Sequence, residues 1–133
     1  PIPSQQEFYF EATILNKGQN GIIGIGFCTK DANLNLMPGW ENESWGYHGD
    51  DGNLFHFGII EPYGPTFTTG DIIGCYLSFK NNTTRILYTK NGVNLGIAFQ
   101  NLKCIKDLYP CIGLRSYNGD IELNFGHTKF KYD

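Results

Sequence analysis

"DIIGCYLSFKNNTTRILYTKNGVNLGIAF", residues 71–99, holds three apolar runs separated by two polar turns. In the first run Ile73, Cys75, Leu77 and Phe79 fall on one face of an extended chain, the period-two pattern of a strand with one buried side. After the turn "KNNTT", the run "RILYT" is placed to return as its hairpin partner. Asn91-Gly92 then separates "LYTK" from "VNLGIAF". A type I′ turn needs positive φ at both central residues, and Asn and Gly adopt it with least strain. Consecutive antiparallel strands are therefore expected.

The same pattern extends outward. In "FYFEATIL" (8–15), Phe8, Phe10, Ala12 and Ile14 alternate with Tyr9, Glu11 and Thr13, which predicts one dry and one wet face. "GIIGIGFC" (21–28) is a short apolar run with glycines where chains approach closely. Asn118-Gly119 repeats the hairpin signal between "CIGLRSY" and "DIELNFG", where Ile121, Leu123 and Phe125 alternate with Glu122 and Asn124. Only "QNLKCIKDL" (100–108) could hold a helix. About nine short strands joined by tight turns predict an all-β fold, a sandwich of two antiparallel sheets.

Composition agrees. Seventeen glycines and twenty aromatics in 133 residues, with 17% charged residues, describe a turn-rich, aromatic-cored chain rather than a helical bundle. Residues 1–133 are read as one domain, since no linker or repeat divides them. A net charge of -3 with scattered basic residues leaves no electrostatic footprint for nucleic acid, and no apolar run has the length of a membrane helix. Cys28, Cys75, Cys104 and Cys111 form no C-x-x-C pair, and two of them sit in apolar runs. Reduced thiols and a cytoplasmic location are expected, with a Cys104–Cys111 loop as the exception.

Chemistry concentrates in "GWENESWGYHGDDG" (39–52), with two tryptophans, a histidine and two adjacent aspartates. As a metal site, His48, Asp50 and Asp51 lack a second cluster of ligands, and the alternation of an EF-hand is absent. As a catalytic site, the His-Asp pair lacks a nucleophile, and the glycines of "GIIGIG" have no following helix to make a dinucleotide fingerprint. No cofactor, no metal and no enzymatic activity are expected. A binding surface fits better: Trp40, Trp45, Tyr47, Tyr63 and Tyr117 fall near loops or strand ends, where aromatics either anchor a ligand or plug the end of a sandwich. Plugging is the expected role of the tryptophans.

Several stretches together resemble a SPRY domain: "FYFEATI" (8–14), "PGW" (38–40), "GYHGDDG" (46–52), "PYGPTFTTGDIIGC" (62–75), "YTKNGVNLGIAF" (88–99), "LYPCIGL" (108–114) and "LNFG" (123–126). More narrowly they are similar to the SPRY domain of the Ran-binding protein M family. The resemblance implies a bent β-sandwich and a non-enzymatic protein-interaction module, which in those relatives sits within the GID/CTLH ubiquitin ligase. It also implies a surface of end loops that takes short extended peptides. Trp45, Tyr47, His48, Asp50 and Asp51 would form one wall, with the aspartates either fixing the turn or facing the partner. Arg115, Ser116, Tyr117 and Asn118 would form the other. A third element would come from a segment preceding "FYFEATI", which the chain begins too late to contain. The partner is expected to be a protein or peptide, and the domain itself monomeric. The alternatives are a secreted SPRY effector directed at host proteins, or a carbohydrate-binding sandwich.

Overall fold

The computed structural model describes residues 7–33, 35–40, 44–80, 83–102 and 108–132. Ten strands run through them: β1 (Phe8–Asn16), β2 (Ile23–Cys28), β3 (Ser44–His48), β4 (Asn53–His56), β5 (Ile59–Pro62), β6 (Ile72–Lys80), β7 (Thr83–Lys90), β8 (Val93–Leu102), β9 (Tyr109–Leu114) and β10 (Asp120–Asn124). They form two five-stranded antiparallel sheets, ordered β10-β1-β6-β7-β8 and β5-β4-β3-β2-β9. The meander of residues 71–99 is the body of the first sheet, and its second turn has φ of 51° at Asn91 and 86° at Gly92, as a type I′ hairpin requires.

The inner faces carry the alternation expected of them. Phe10, Ala12 and Ile14 of β1 and Ile73, Cys75 and Leu77 of β6 are fully buried, and they meet Ile23, Ile25 and Phe27 of β2 across the sandwich. Phe10 and Phe27 touch edge to face with centroids 5.7 Å apart. Tyr47, also fully buried, packs against Tyr63, Phe67 and Tyr88 at 4.9–5.3 Å. Burial holds the Cys75 thiol well above its ordinary pKa, so it behaves as a small hydrophobe.

Three expectations need correction. Asn118-Gly119 does not close a hairpin: β9 lies in the second sheet and β10 in the first, so the chain crosses between sheets there. Gln100–Leu102 belongs to β8, while residues 103–107 of the helix candidate, with Cys104, lie outside the described residues. The outer face of β1 is not wet at Glu11, which is 4% exposed beneath the C-terminal segment. Its carboxylate accepts bonds from the backbone N–H of Lys131 (2.9 Å) and Tyr132 (3.1 Å) and from the Tyr9 hydroxyl (2.7 Å).

The second sheet is covered outside as well. Residues Met37–Gly39 run across it as a strap, in contact with glycines that leave room for it. A Cβ on Gly46 would stand 2.5 Å from the Pro38 carbonyl oxygen, and one on Gly113 would stand 2.4 Å from Pro38 Cδ. The strap is fastened by Gly39 N–H donating to Ser44 Oγ at 2.7 Å and by a 2.7 Å bond between His48 Nε2 and the Pro38 oxygen.

Candidate functional site

At the end of the sandwich where β1 finishes, the loops 17–22, 49–52, 63–71 and 115–119 converge. Local turn chemistry shapes each one. In 49–52, Gly52 adopts φ 75°, and a Cβ there would meet the Gly64 oxygen at 2.2 Å, so only glycine allows the next loop to approach. Asp51 Oδ1 accepts the Asn53 N–H at 3.0 Å in an Asx turn. In 115–119, Asn118 takes φ 66° and Gly119 N–H donates to the Ser116 oxygen at 2.9 Å, the pattern of a type II turn.

Backbone bonds then join the loops. Gly49 N–H donates to the Ile23 oxygen (2.8 Å), Gly64 N–H to Gly52 (3.0 Å), Phe67 N–H to Gly49 (3.0 Å) and Gln19 N–H to Tyr117 (3.0 Å). Ser116, 7% exposed, uses its hydroxyl three ways: it donates to the Lys17 oxygen and accepts N–H bonds from Asn20 (3.2 Å) and Gly21 (3.1 Å). The Tyr47 hydroxyl donates to the Pro65 oxygen and so supports the 63–71 loop from below. Burial raises the Tyr47 pKa far above the ordinary tyrosine value, so it remains a donor.

Between these loops lies an open cavity of about 210 Å³ lined by Lys17, Asn20, Asp50, Thr66, Phe67 and Thr68. Its floor is the buried Phe67 ring, and its walls carry a carboxylate, an amide, two hydroxyls and a cation. Such a set suits a polar backbone with one or two side chains, because each group can exchange its water bond for a ligand bond.

The expected site residues divide into two groups. Asp50, Asp51, Arg115, Tyr117 and Asn118 are exposed at this end, Tyr117 by 72%. The Arg115 guanidinium lies 5.0 Å from the Trp40 ring centroid, on the side toward the strap. Trp45, Tyr47, His48 and Ser116 are buried. Trp45 and Tyr47 point into the core, where Trp45 stacks on His56 at 4.8 Å. His48 lies beneath the strap against Phe55 at 3.8 Å, and burial lowers its pKa below the ordinary histidine value. Tyr47, His48 and Ser116 shape the loop end rather than face solvent, whereas Trp45 lies toward the other end of β3, beside the β4–β5 turn. Lys17, Asn20, Thr66 and Thr68 were not singled out from sequence, and their contact with Asp50 depends on pairings far apart in the chain. Among the described residues, no three His, Cys, Asp or Glu side chains come together as a metal site.

The family model for the SPRY domain matches residues 7–128. The chain belongs to the SPRY family. This SPRY domain is 51% identical to the "Ran-binding proteins 9/10 homolog" of Drosophila melanogaster, over 100% of the chain and 14% of that protein. It is 50% identical to "Ran-binding protein 9" of Xenopus laevis, over 100% of the chain and 24% of that protein. With the "Ran-binding protein M homolog" of Arabidopsis thaliana it shares 36% identity over 95% of the chain and 26% of that protein. The domain thus spans about a quarter or less of these relatives. Among solved structures, a human SPRY domain superposes with a TM-score of 0.82 at 30% identity, covering 92% of this chain and 78% of that one.

Proposed function

We propose that this SPRY domain is a non-enzymatic protein-interaction module that holds a short extended peptide of a partner protein at the loop end. The reading rests on one observation: separate loops, tied together by Ser116 and by backbone bonds, meet around a solvent-open polar cavity, and a site held in place in this way loses little freedom on binding. Asp50 accepts hydrogen bonds from a ligand amide or cation, Lys17 faces a carbonyl or carboxylate, and Tyr117 closes over the peptide from the far side. Tyr47, His48 and Ser116 act as positioning residues. The likeness to Ran-binding proteins supports a further reading, that the longer protein is a scaffold or substrate receptor associated with a ubiquitin ligase.

The test is capture of partners from cell extract by the domain and by an Asp50→Asn, Tyr117→Ala variant with a matching unfolding curve. Loss of bound proteins from the variant is the expected result, and equal capture would remove the loop end as the site. Copurification of the full-length protein with ubiquitin-ligase subunits checks the wider reading separately.

A further inference from the structure

A second surface lies at the edge of the other sheet. β4 and β5 are joined by Phe57-Gly58, with φ of 53° and 72°. Positive φ at a bulky residue is uncommon, because Cβ crowds the backbone; a turn of this type ordinarily carries Asn, Asp or Gly there. Phe57 is also 65% exposed. The folded chain alone therefore gains neither backbone comfort nor burial from this ring. Beside it Ile59 and Ile60 are 59% and 56% exposed, and Trp40 lies where Gly58 N–H meets the Gly39 oxygen at 3.2 Å.

Among the described residues β5 is the last strand of its sheet. In a two-residue hairpin the pair flanking the turn, here His56 and Ile59, is hydrogen-bonded, and the pairs then alternate. Ile60 therefore turns its N–H and C=O outward. Pro62, opposite Asn53, falls at a position where no donor to β4 is needed. β5 carries Glu61 and Pro62 but no lysine of its own, and an edge with outward-facing backbone groups and apolar side chains is a template for another strand.

The side chains specify what that strand carries. Ile59 and Glu61 face the gap between the sheets, where Leu54, His56, Ile59, Glu61 and Phe99 line a notch of about 120 Å³. Glu61 is exposed and makes no ion pair among the described residues. We propose that the β4–β5 hairpin and the outer edge of β5 dock an extended peptide of another protein as an added strand. That peptide places a branched aliphatic side chain opposite Ile59 and a lysine or arginine two residues away, opposite Glu61. Cross-strand pairing of opposite charges sets the register. A second copy of this chain fits less well. At about 200 Å² per large side chain, Trp40, Phe57, Ile59 and Ile60 expose on the order of 400 Å². That is half of the ~800 Å² each partner contributes to a standard interface.

The test is selection of a displayed library of random ten-residue peptides on the domain, followed by titration of synthetic copies of the enriched sequences. The expected sequences alternate, with an aliphatic residue and a basic residue two positions apart. Their affinity falls at least tenfold on Phe57→Asn and on Ile60→Lys, and is unchanged by Asp50→Asn, Tyr117→Ala, which keeps this surface distinct from the loop end. Glu61→Lys exchanges the preference for a basic residue for an acidic one. Phe57→Asn controls for folding, since Asn accepts the positive φ and the variant melts no lower than the wild type. The proposal is overturned if no sequence is enriched, if the enriched peptides bind Phe57→Asn and Ile60→Lys normally, or if they lack the basic residue. A wild-type dimer in sedimentation that Ile60→Lys converts to monomer also overturns it, by making a second copy the occupant.

Discussion

The Tyr88 hydroxyl on β7 crosses the core and donates to the Ile25 carbonyl of β2 in the opposite sheet at 3.0 Å. Tyr88 is fully buried, and burial raises its pKa well above the ordinary tyrosine value. The bond links the two sheets across the core, within a cluster shared with Tyr47 and Tyr63. Tyr88→Phe keeps the ring and removes the bond, so a loss of about 1 kcal/mol is expected. Urea unfolding measures it as a lower midpoint with an unchanged slope.

Acid is expected to loosen the strap over the second sheet. The His48 pKa is lowered first by burial, against the opposing effects of the Pro38 bond and the Asp51 and Asp50 charges. The unfolded chain therefore takes up a proton near pH 6.5 that the folded chain still excludes. The stability held in neutral His48 is present above that pH and is lost as pH falls toward the folded value. In His48→Gln this part of the acid slope disappears, and unfolding midpoints of the two proteins between pH 7.5 and 5 give the comparison.

The strap also fixes the glycine beneath it. Gly46→Ala places a methyl group 2.5 Å from the Pro38 oxygen, between two backbones that cannot both retreat. A cost of about 1–3 kcal/mol is expected from such overpacking. Thermal melting reads the loss, and faster proteolysis within residues 35–40 reports that the strap has lifted.

On the opposite face Glu11 holds the C-terminal segment by two backbone N–H bonds, while the Tyr9 hydroxyl occupies the same carboxylate. Glu11→Ala removes a charged acceptor from all three donors at once and is expected to cost about 3 kcal/mol. Amide exchange at Lys131 and Tyr132 should accelerate well ahead of exchange in β6 and β7.

The meander of residues 71–99 was legible because its alternation and its Asn91-Gly92 turn are local properties. Asn118-Gly119 misled because turn chemistry is the same within a sheet and between sheets; which sheet β10 joins is decided by its pairing with β1. β3, β4 and β5 carry no strand assignment from sequence, and at the β4–β5 hairpin Phe57 stands where a turn residue is expected. In the candidate site, "GYHGDDG" pointed to a turn at an end of the sandwich, which residues 49–52 form, but not to the orientation of its side chains. β3 is buried on both faces, by the core on one side and the strap on the other, so alternation of polarity could not separate Tyr47 and His48 from exposed neighbours. The cavity itself joins Lys17 to Thr68, 51 positions apart in the chain, a proximity no local pattern records.

Ser116 and Tyr117 are adjacent, yet one is locked to the neighbouring loop and the other is largely exposed. If the loop end is the peptide site proposed above, its frame and the surface that meets a ligand are written in different letters of the same short word. On that reading, substitution at 117, or at 50 on the cavity wall, retunes which ligands are accepted while the fold is spared, whereas a change at 116 unfastens the frame before any new preference can be expressed. A lineage that needs a new partner would then have an open route through the first kind of change and a closed one through the second.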